Sequence, residues 1–274
     1  MRNRLPAVAV LAMTVAACAG GGPATLGYGL PSQNEVRYSY ADTTIVEASV
    51  MGQSMEIAVR STADYAASFS ESSDGVEVSL TVADLQGSVS QPMGGPVNID
   101  EDGVLGAIVF SLDRMGNATV VSLPEVTGEA SQMVSTLGTA HSFFPGLPDR
   151  VVAVGDQWAH NVTFDGDDTT GPVIGTATVN YTYEGDRTVG GRTVMNITFE
   201  GTSEISNSMD MQGMQIAQAS SIEVEGYVLW DAAAGVPVEM FRSGSGEGTV
   251  SVPIAPTPFP IQVETTQWAR IEGM

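Results

Sequence analysis

Apolar and polar residues alternate along this chain in runs that suit β-strands and no other regular structure. In residues 36–50, Val36, Tyr38, Tyr40, Val46, Ala48 and Val50 share one face. In 55–69, Met55, Ile57, Val59, Ala63, Tyr65 and Phe69 do the same, and in 76–82 Val76, Val78, Leu80 and Val82. The pattern returns at Ala177, Val179, Tyr181 and Tyr183, then at Met195, Ile197, Phe199 and Ile205. It returns again at Met214, Ile216, Ile222, Val224, Val228 and Trp230. Successive strand side chains point to opposite faces. Each run therefore has one apolar face and one face of Ser, Thr and acid, as in an antiparallel sheet with a wet side. Turn signals separate the runs: MGQ at 51–53, SSDG at 72–75, GNA at 116–118, VGG at 189–191, MQG at 211–213 and AAAG at 232–235. Several runs reach about fifteen residues, roughly 50 Å at the usual strand rise, and strands that long bend and coil.

An internal repeat accompanies the alternation. MEIAVRSTADYAASFSESSDGVEVSL from Met55 parallels MQIAQASSIEVEGYVLWDAAAGVPVEM from Met214, and GSVSQP at 87–92 parallels GTVSVP at 248–253. The order suggests two related halves, each with a pair of hairpins. Between them Ala130, Met133, Val134, Leu137 and Phe144 fall near helical spacing and Pro145 stops the run, so one helix is expected over about 128–142. One short helix cannot cover the apolar face of eight to ten long strands, and that face must be buried. The fold expected is therefore mainly β. It is a long-stranded antiparallel curved sheet, half-barrel or sandwich-like, with one α-helix between two related halves. A curled sheet whose concave side is only partly filled leaves an apolar cavity.

High net charge can signal disorder, and this chain carries −22. Here 43% hydrophobic residues against 15% charged ones argue for a folded domain. All ten basic residues are arginine. Such an acidic surface repels phosphate backbones, which argues against nucleic-acid binding. It also repels anionic lipid headgroups, so no basic patch holds a membrane.

The first residues suggest what does. Arg2 and Arg4 precede an uncharged apolar run, Leu5 to Val15, too short to span a bilayer, which reads as a signal peptide. It ends Val15-Ala16-Ala17-Cys18, and Cys18 is the only cysteine, so no internal disulfide can form. This ending resembles the lipobox of bacterial lipoproteins. The resemblance implies cleavage after residue 17 and a diacylglyceryl thioether on Cys18, with acyl chains anchoring the protein. Ala19 in place of Asp implies the outer membrane in a Gram-negative cell. The organisation expected is a signal peptide over 1–17, a flexible tether over 18–34 rich in Gly and Pro, an N-terminal β half over 35–127, a helix and connection over 128–148, and a C-terminal β half over 149–274.

Chemistry-bearing motifs are sparse. NIDEDGVLG from Asn98 opens like a calcium loop, but position 12 is Val109 and the flanks are strands, so a hairpin turn is the better reading. DGDD at 165–168 reads as a solvated loop. His141 and His160 lack the spacing of zinc ligands, and His160 reads as a polar-face residue. No nucleophile elbow and no phosphate loop occur, so neither an enzyme nor a cofactor is expected. The Asn-x-Thr triplets at Asn117, Asn161, Asn180 and Asn196 are chance matches in a Thr-rich β chain. Methionine suits adaptable apolar contacts. Met51 and Met55 at one hairpin tip, with Met209, Met211 and Met214 at the equivalent tip, are candidates for a cavity rim as well as for core.

FFPGLPDRVVAVGDQW, 143–158, resembles the FPxLPxxxVxVGDxW segment of an uncharacterised family of secreted bacterial lipoproteins. GYVLWDAAAGVPVEM, 226–240, is similar to a strand-Asp-x-x-x-Gly-strand hairpin shared with LolA-like and LppX-like lipoproteins. The LolA-like resemblance implies a curved half-barrel that holds acyl chains. The expectation is a membrane-anchored protein of the cell envelope, on the periplasmic side of the outer membrane if Gram-negative. It would bind a hydrophobic small molecule or lipid and have no catalytic residues. Tyr38, Tyr65, Phe69, Phe199 and Trp230 are candidate lining residues and equally candidate core. The alternative is an envelope scaffold or protein-interaction module with a filled core.

Overall fold

The computed structural model describes residues 23–50, 53–73, 75–90, 96–128, 130, 135–169, 171–211, 214–253 and 255–273; of residues 50, 209–211 and 214 it describes the backbone alone. The strands of the first half are β1 (Ala24–Thr25), β2 (Glu35–Val50), β3 (Gln53–Ser72), β4 (Gly75–Ser90), β5 (Val97–Asp100), β6 (Val104–Leu105), β7 (Ala107–Leu112), β8 (Ala118–Ser122) and β9 (Glu125–Val126). A helix, α1 (Thr136–Ser142), precedes β10 (Val151–Val152). Then come β11 (Gln157–Asp168), β12 (Gly171–Val189), β13 (Arg192–Met211), β14 (Met214–Asp231), β15 (Val236–Ser251) and β16 (Phe259–Ile271).

Eleven of these strands follow one antiparallel path, β11-β12-β13-β14-β15-β16-β2-β3-β4-β7-β8, and β5 adds to it beside β4. The sheet curls into a half-barrel. The last strand, β16, pairs with β2, so both stretches of long strands join in one sheet. The hairpin breaks fall where the turn signals stand. β3 stops at Ser72 and β4 starts at Gly75, β12 and β13 flank 190–191, and β14 and β15 flank 232–235.

A line of glycines explains much of the curl. Gly244, Gly246 and Gly248 follow one another on the concave face of β15, where they pair with Val224, Ile222 and Ser220 on one side and Thr265, Val263 and Ile261 on the other. With no side chain on β15 there, Ile222 and Val224 of β14 meet Ile261 and Val263 of β16 in a small buried cluster of their own. The strands flanking β15 thus fold toward each other over bare backbone.

The main core fills one end of the curl. Tyr38, Tyr183, Phe110 and Trp230 are among its fully buried side chains. The helix that covers it is shorter than expected: α1 runs from Thr136 to Ser142, not from 128, and residues 129 and 131–134 lie outside the described set. It ends because Phe143 and Phe144 turn inward ahead of Pro145. α1 packs against β11, β7 and β8, so it bridges the two edges of the sheet. The segment expected as a flexible tether, 18–34, is also corrected from residue 24 on. β1 pairs with β10, and Leu26 and Tyr28 are buried in the core. Their apolar side chains gain more by burial than a free linker loses in entropy. The DGDD stretch expected as a loop is the end of β11, paired through Asp168↔Gly171.

Candidate functional site: a cavity beneath an aromatic plug

The segment from residue 143 to 148 is buried throughout, which is unusual for irregular chain because its polar backbone needs partners. Side chains supply them. Tyr28 Oη donates to the Pro145 carbonyl (2.7 Å), Trp158 Nε1 donates to the Gly146 carbonyl (3.1 Å), and the Gly146 N–H donates to Tyr181 Oη (3.2 Å). The Leu147 N–H donates to the Met115 carbonyl (2.8 Å). Phe143 then packs on Tyr38, Tyr65 and Tyr40, with ring centroids at 5.4, 5.4 and 6.4 Å. Phe144 packs on Tyr28, Phe69 and Phe110, at 5.9, 6.1 and 6.1 Å. The two phenylalanines are a plug set into the curl.

Asp168 holds the start of this covering segment. Its carboxylate accepts from Ser135 Oγ (2.7 Å), the Thr136 N–H (3.0 Å) and Thr136 Oγ1 (2.9 Å), joining the end of β11 to the first turn of α1. Ser135 in turn caps the helix by accepting from the Gly138 N–H (3.2 Å). Asp168→Ala removes all of Asp168's bonds and is expected to lower the unfolding free energy by about 1–2 kcal/mol. Denaturant titration measures this, and an unchanged midpoint would show that α1 is held by packing alone.

Beyond the plug the concave side is open enough to leave a cavity of about 410 Å³. α1 and residues 143–146 wall it on one side, and β11 to β16 with β2 on the other. The sheet presents this wall in transverse rows of paired residues. One row, two residues along β2 from Tyr40 at the plug, runs Asp42, Gln267, Arg242, Gly226, Phe199 and Tyr181, each paired in register with the next strand. The rows beyond carry Thr44, Thr265 and Val224, then Val46, Val263 and Ile222. The cavity is thus aromatic at the plug, carries Asp42, Gln267 and Arg242 in one band, and mixes aliphatic with Ser, Thr and amide side chains past it. A second, smaller cavity of about 100 Å³ adjoins Tyr65 and Leu85.

The five aromatic residues singled out from the sequence reach one concave face but not one place. Phe199 stands in the wall of the larger cavity beside Tyr181, and Tyr65 in the wall of the smaller one. Tyr38, Phe69 and Trp230 lie in the packed core. Tyr38 is fully buried with its hydroxyl donating to the Pro237 carbonyl (3.0 Å), Phe69 is against Phe144, and Trp230 is edge-on to Tyr28 at 5.2 Å. Burial pushes the Tyr65 hydroxyl up to about 12 and raises Tyr38 further, so both stay neutral. Met55 is half-buried on β3 opposite Ala48. Met209, Met211 and Met214 are paired at the β13–β14 hairpin end, their side chains outside the described set, as are Met51 and Cys18 altogether.

His160 shares the concave side with Trp158 and faces the cavity, where the sequence suggests the polar face. Its imidazole crowds Gly146, and burial holds its pKa below the ordinary value. His141, stacked on Phe164 at 5.0 Å, is lowered for the same reason. Among the described residues, no group of three or more His, Cys, Asp or Glu converges to hold a metal, and no helix is long and apolar enough to cross a membrane.

Sequence reasoning missed Asp42 and Arg242. Both occupy apolar-face positions of their strands, Asp42 two residues after Tyr40 and Arg242 two after Met240. A charge in phase with an apolar face was the available signal. Three side-chain atoms of the described residues are buried without a hydrogen-bond partner, Asp42 Oδ1, Asn207 Oδ1 and Arg242 Nε, and all three residues line the larger cavity. Buried polar atoms are normally paired, and these three border a common space from which a partner could reach them. No family model matches the chain, and a search of curated proteins finds no match.

Proposed function

We propose that this chain is a membrane-anchored lipoprotein of the cell envelope, without catalytic activity, that holds a hydrophobic ligand such as a lipid acyl chain inside its half-barrel. The observation that carries the reading is the cavity of about 410 Å³ between the aromatic plug and the curled sheet. Its size falls within the range of small-molecule sites, and Val46, Val162, Val179, Ile205, Ile222, Val224 and Val263 give it aliphatic wall for an apolar chain. Anchoring rests on the resemblance of Val15-Ala16-Ala17-Cys18 to a lipobox, which supports a site on the periplasmic side of the outer membrane if the cell is Gram-negative.

Native mass spectrometry of the protein taken from its producing cells without harsh detergent tests the ligand. The expected result is a reproducible extra mass that organic extraction identifies as lipid. A clean unliganded mass, with no uptake of a fluorescent fatty acid, overturns it and returns the weight to a scaffold role. That second reading draws on the other end of the curl, where Tyr38, Phe69 and Trp230 leave no space. Cys18→Ser is expected to block processing and lipidation. A variant that fractionates and migrates like wild type sinks the anchor.

A further inference from the structure

Among the described residues, Arg242 is the one arginine in the cavity wall. Its Nε is sealed from solvent with no acceptor, and none of the ion pairs among the described residues includes it. The side chain as a whole is half-buried, and a sealed guanidinium nitrogen without an acceptor is unfavourable and ordinarily finds a partner. Arg242 borders the cavity of about 410 Å³. Its partner on β14 is Gly226, which contributes no side chain, and the Phe199 ring lies over that glycine instead. Its partner on β16 is Gln267, and one strand further is Asp42. Tyr181, Tyr40 and Asp42 are the groups whose charge or dipole bears on the guanidinium, and they offset only part of the desolvation that lowers its pKa.

We infer that the ligand is an amphiphile with an anionic head, a carboxylate or phosphate, seated on Arg242 with its chain laid along Val46, Val263 and Ile222. This rests on the ligand-holding reading above and specifies its head group. A guanidinium offers planar paired donors that match an oxyanion in two bonds at once. The row of Val46, Val263 and Ile222 lies two rows past the polar band. Residues two and four further along β2 are Thr44 and Val46, so the change from polar to aliphatic wall takes roughly 13 Å. Asp42 lies in the same row as Arg242, one strand past Gln267. Burial raises its pKa against the hydrogen bonds from Gln267 and Thr44 and the charge of Arg242. A neutral head would leave the Arg242 Nε without an anionic acceptor.

The test titrates the full chain with three probes of one chain length: a fluorescent fatty acid, its methyl ester and the matching alkyl phosphate. The acid or the phosphate is expected to bind wild type at least about tenfold tighter than the ester, the scale of a charged hydrogen bond. Whichever anion is tighter names the source. Arg242→Gln is expected to bind all three like the ester, and Arg242→Lys to keep part of the preference. If the ester binds as tightly as either anion, or if Arg242→Gln keeps the preference, this inference falls while the cavity reading stands. If none of the three binds, both fall. Should Arg242→Gln fail to fold, the wild-type ratio of acid to ester decides alone.

Discussion

Phe143→Ala and Phe144→Ala are each expected to cost about 3–5 kcal/mol of unfolding free energy, the range for emptying a buried aromatic site. Both rings are nearly sealed, with relative exposures of 6% and 5%. Each is held by three or more other rings, and they touch one another at 5.1 Å. Their neighbours sit on strands of a continuous sheet and cannot collapse into the void without moving the sheet. The double variant is expected to lose less than the sum, because the two share a site. It still approaches the whole stability of an ordinary domain. Guanidinium titration followed by tryptophan fluorescence reads the effect, since Trp230 and Trp158 stand at the plug. A loss below about 1 kcal/mol for either would mean that residues 143–148 lie on the sheet without supporting it. The Phe143 variant also widens the cavity on the Tyr40 side, so it should take up bulkier probes if it folds.

The second large effect is expected at Gly246. An added methyl there would meet only backbone: the Ser221 carbonyl oxygen, the Ile222 Cα at 2.7 Å and the Ser221 carbonyl carbon at 2.9 Å. No flexible side chain can swing away, so β14 must shift. The expected cost of Gly246→Ala is about 2–3 kcal/mol, typical of overpacking, against near neutrality for Gly29→Ala, where a methyl meets nothing within 4 Å. Ile222 and Val224 approach Ile261 and Val263 over this bare stretch, so the same change also opens the curl. Thermal unfolding of the two variants side by side measures it. Equal melting temperatures would show that β15 carries its glycines for some reason other than curvature.

Much of the fold was legible. Strand alternation from Val36 to Trp230 placed the faces, and the turn dipeptides placed the hairpins, because both depend on residues adjacent in sequence. Less of the site was. Phe199 was foreseen in the wall, while Tyr38, Phe69 and Trp230 share its pattern yet lie in packed core. Period-2 spacing assigns a side chain to a face and is silent on what stands opposite. What stands opposite is the Phe143–Phe144 plug, which alternates with nothing and read as a connection.

The sequence by itself determined the strand faces, the turns, and a mainly β chain too apolar on one face for a single helix to cover. Those follow from backbone geometry over two to four residues. Only the tertiary structure decided that the sheet curls along β15, that residues 24–28 and 143–148 fill one end, and that Asp42 and Arg242 fall in one row. Such neighbours are fixed by register across three strands, with Asp42 and Arg242 two hundred residues apart along the chain. Local propensity carries no record of that pairing. It arises when burial of the whole apolar face selects one closed arrangement, leaving a cavity with a charged band at its aromatic end.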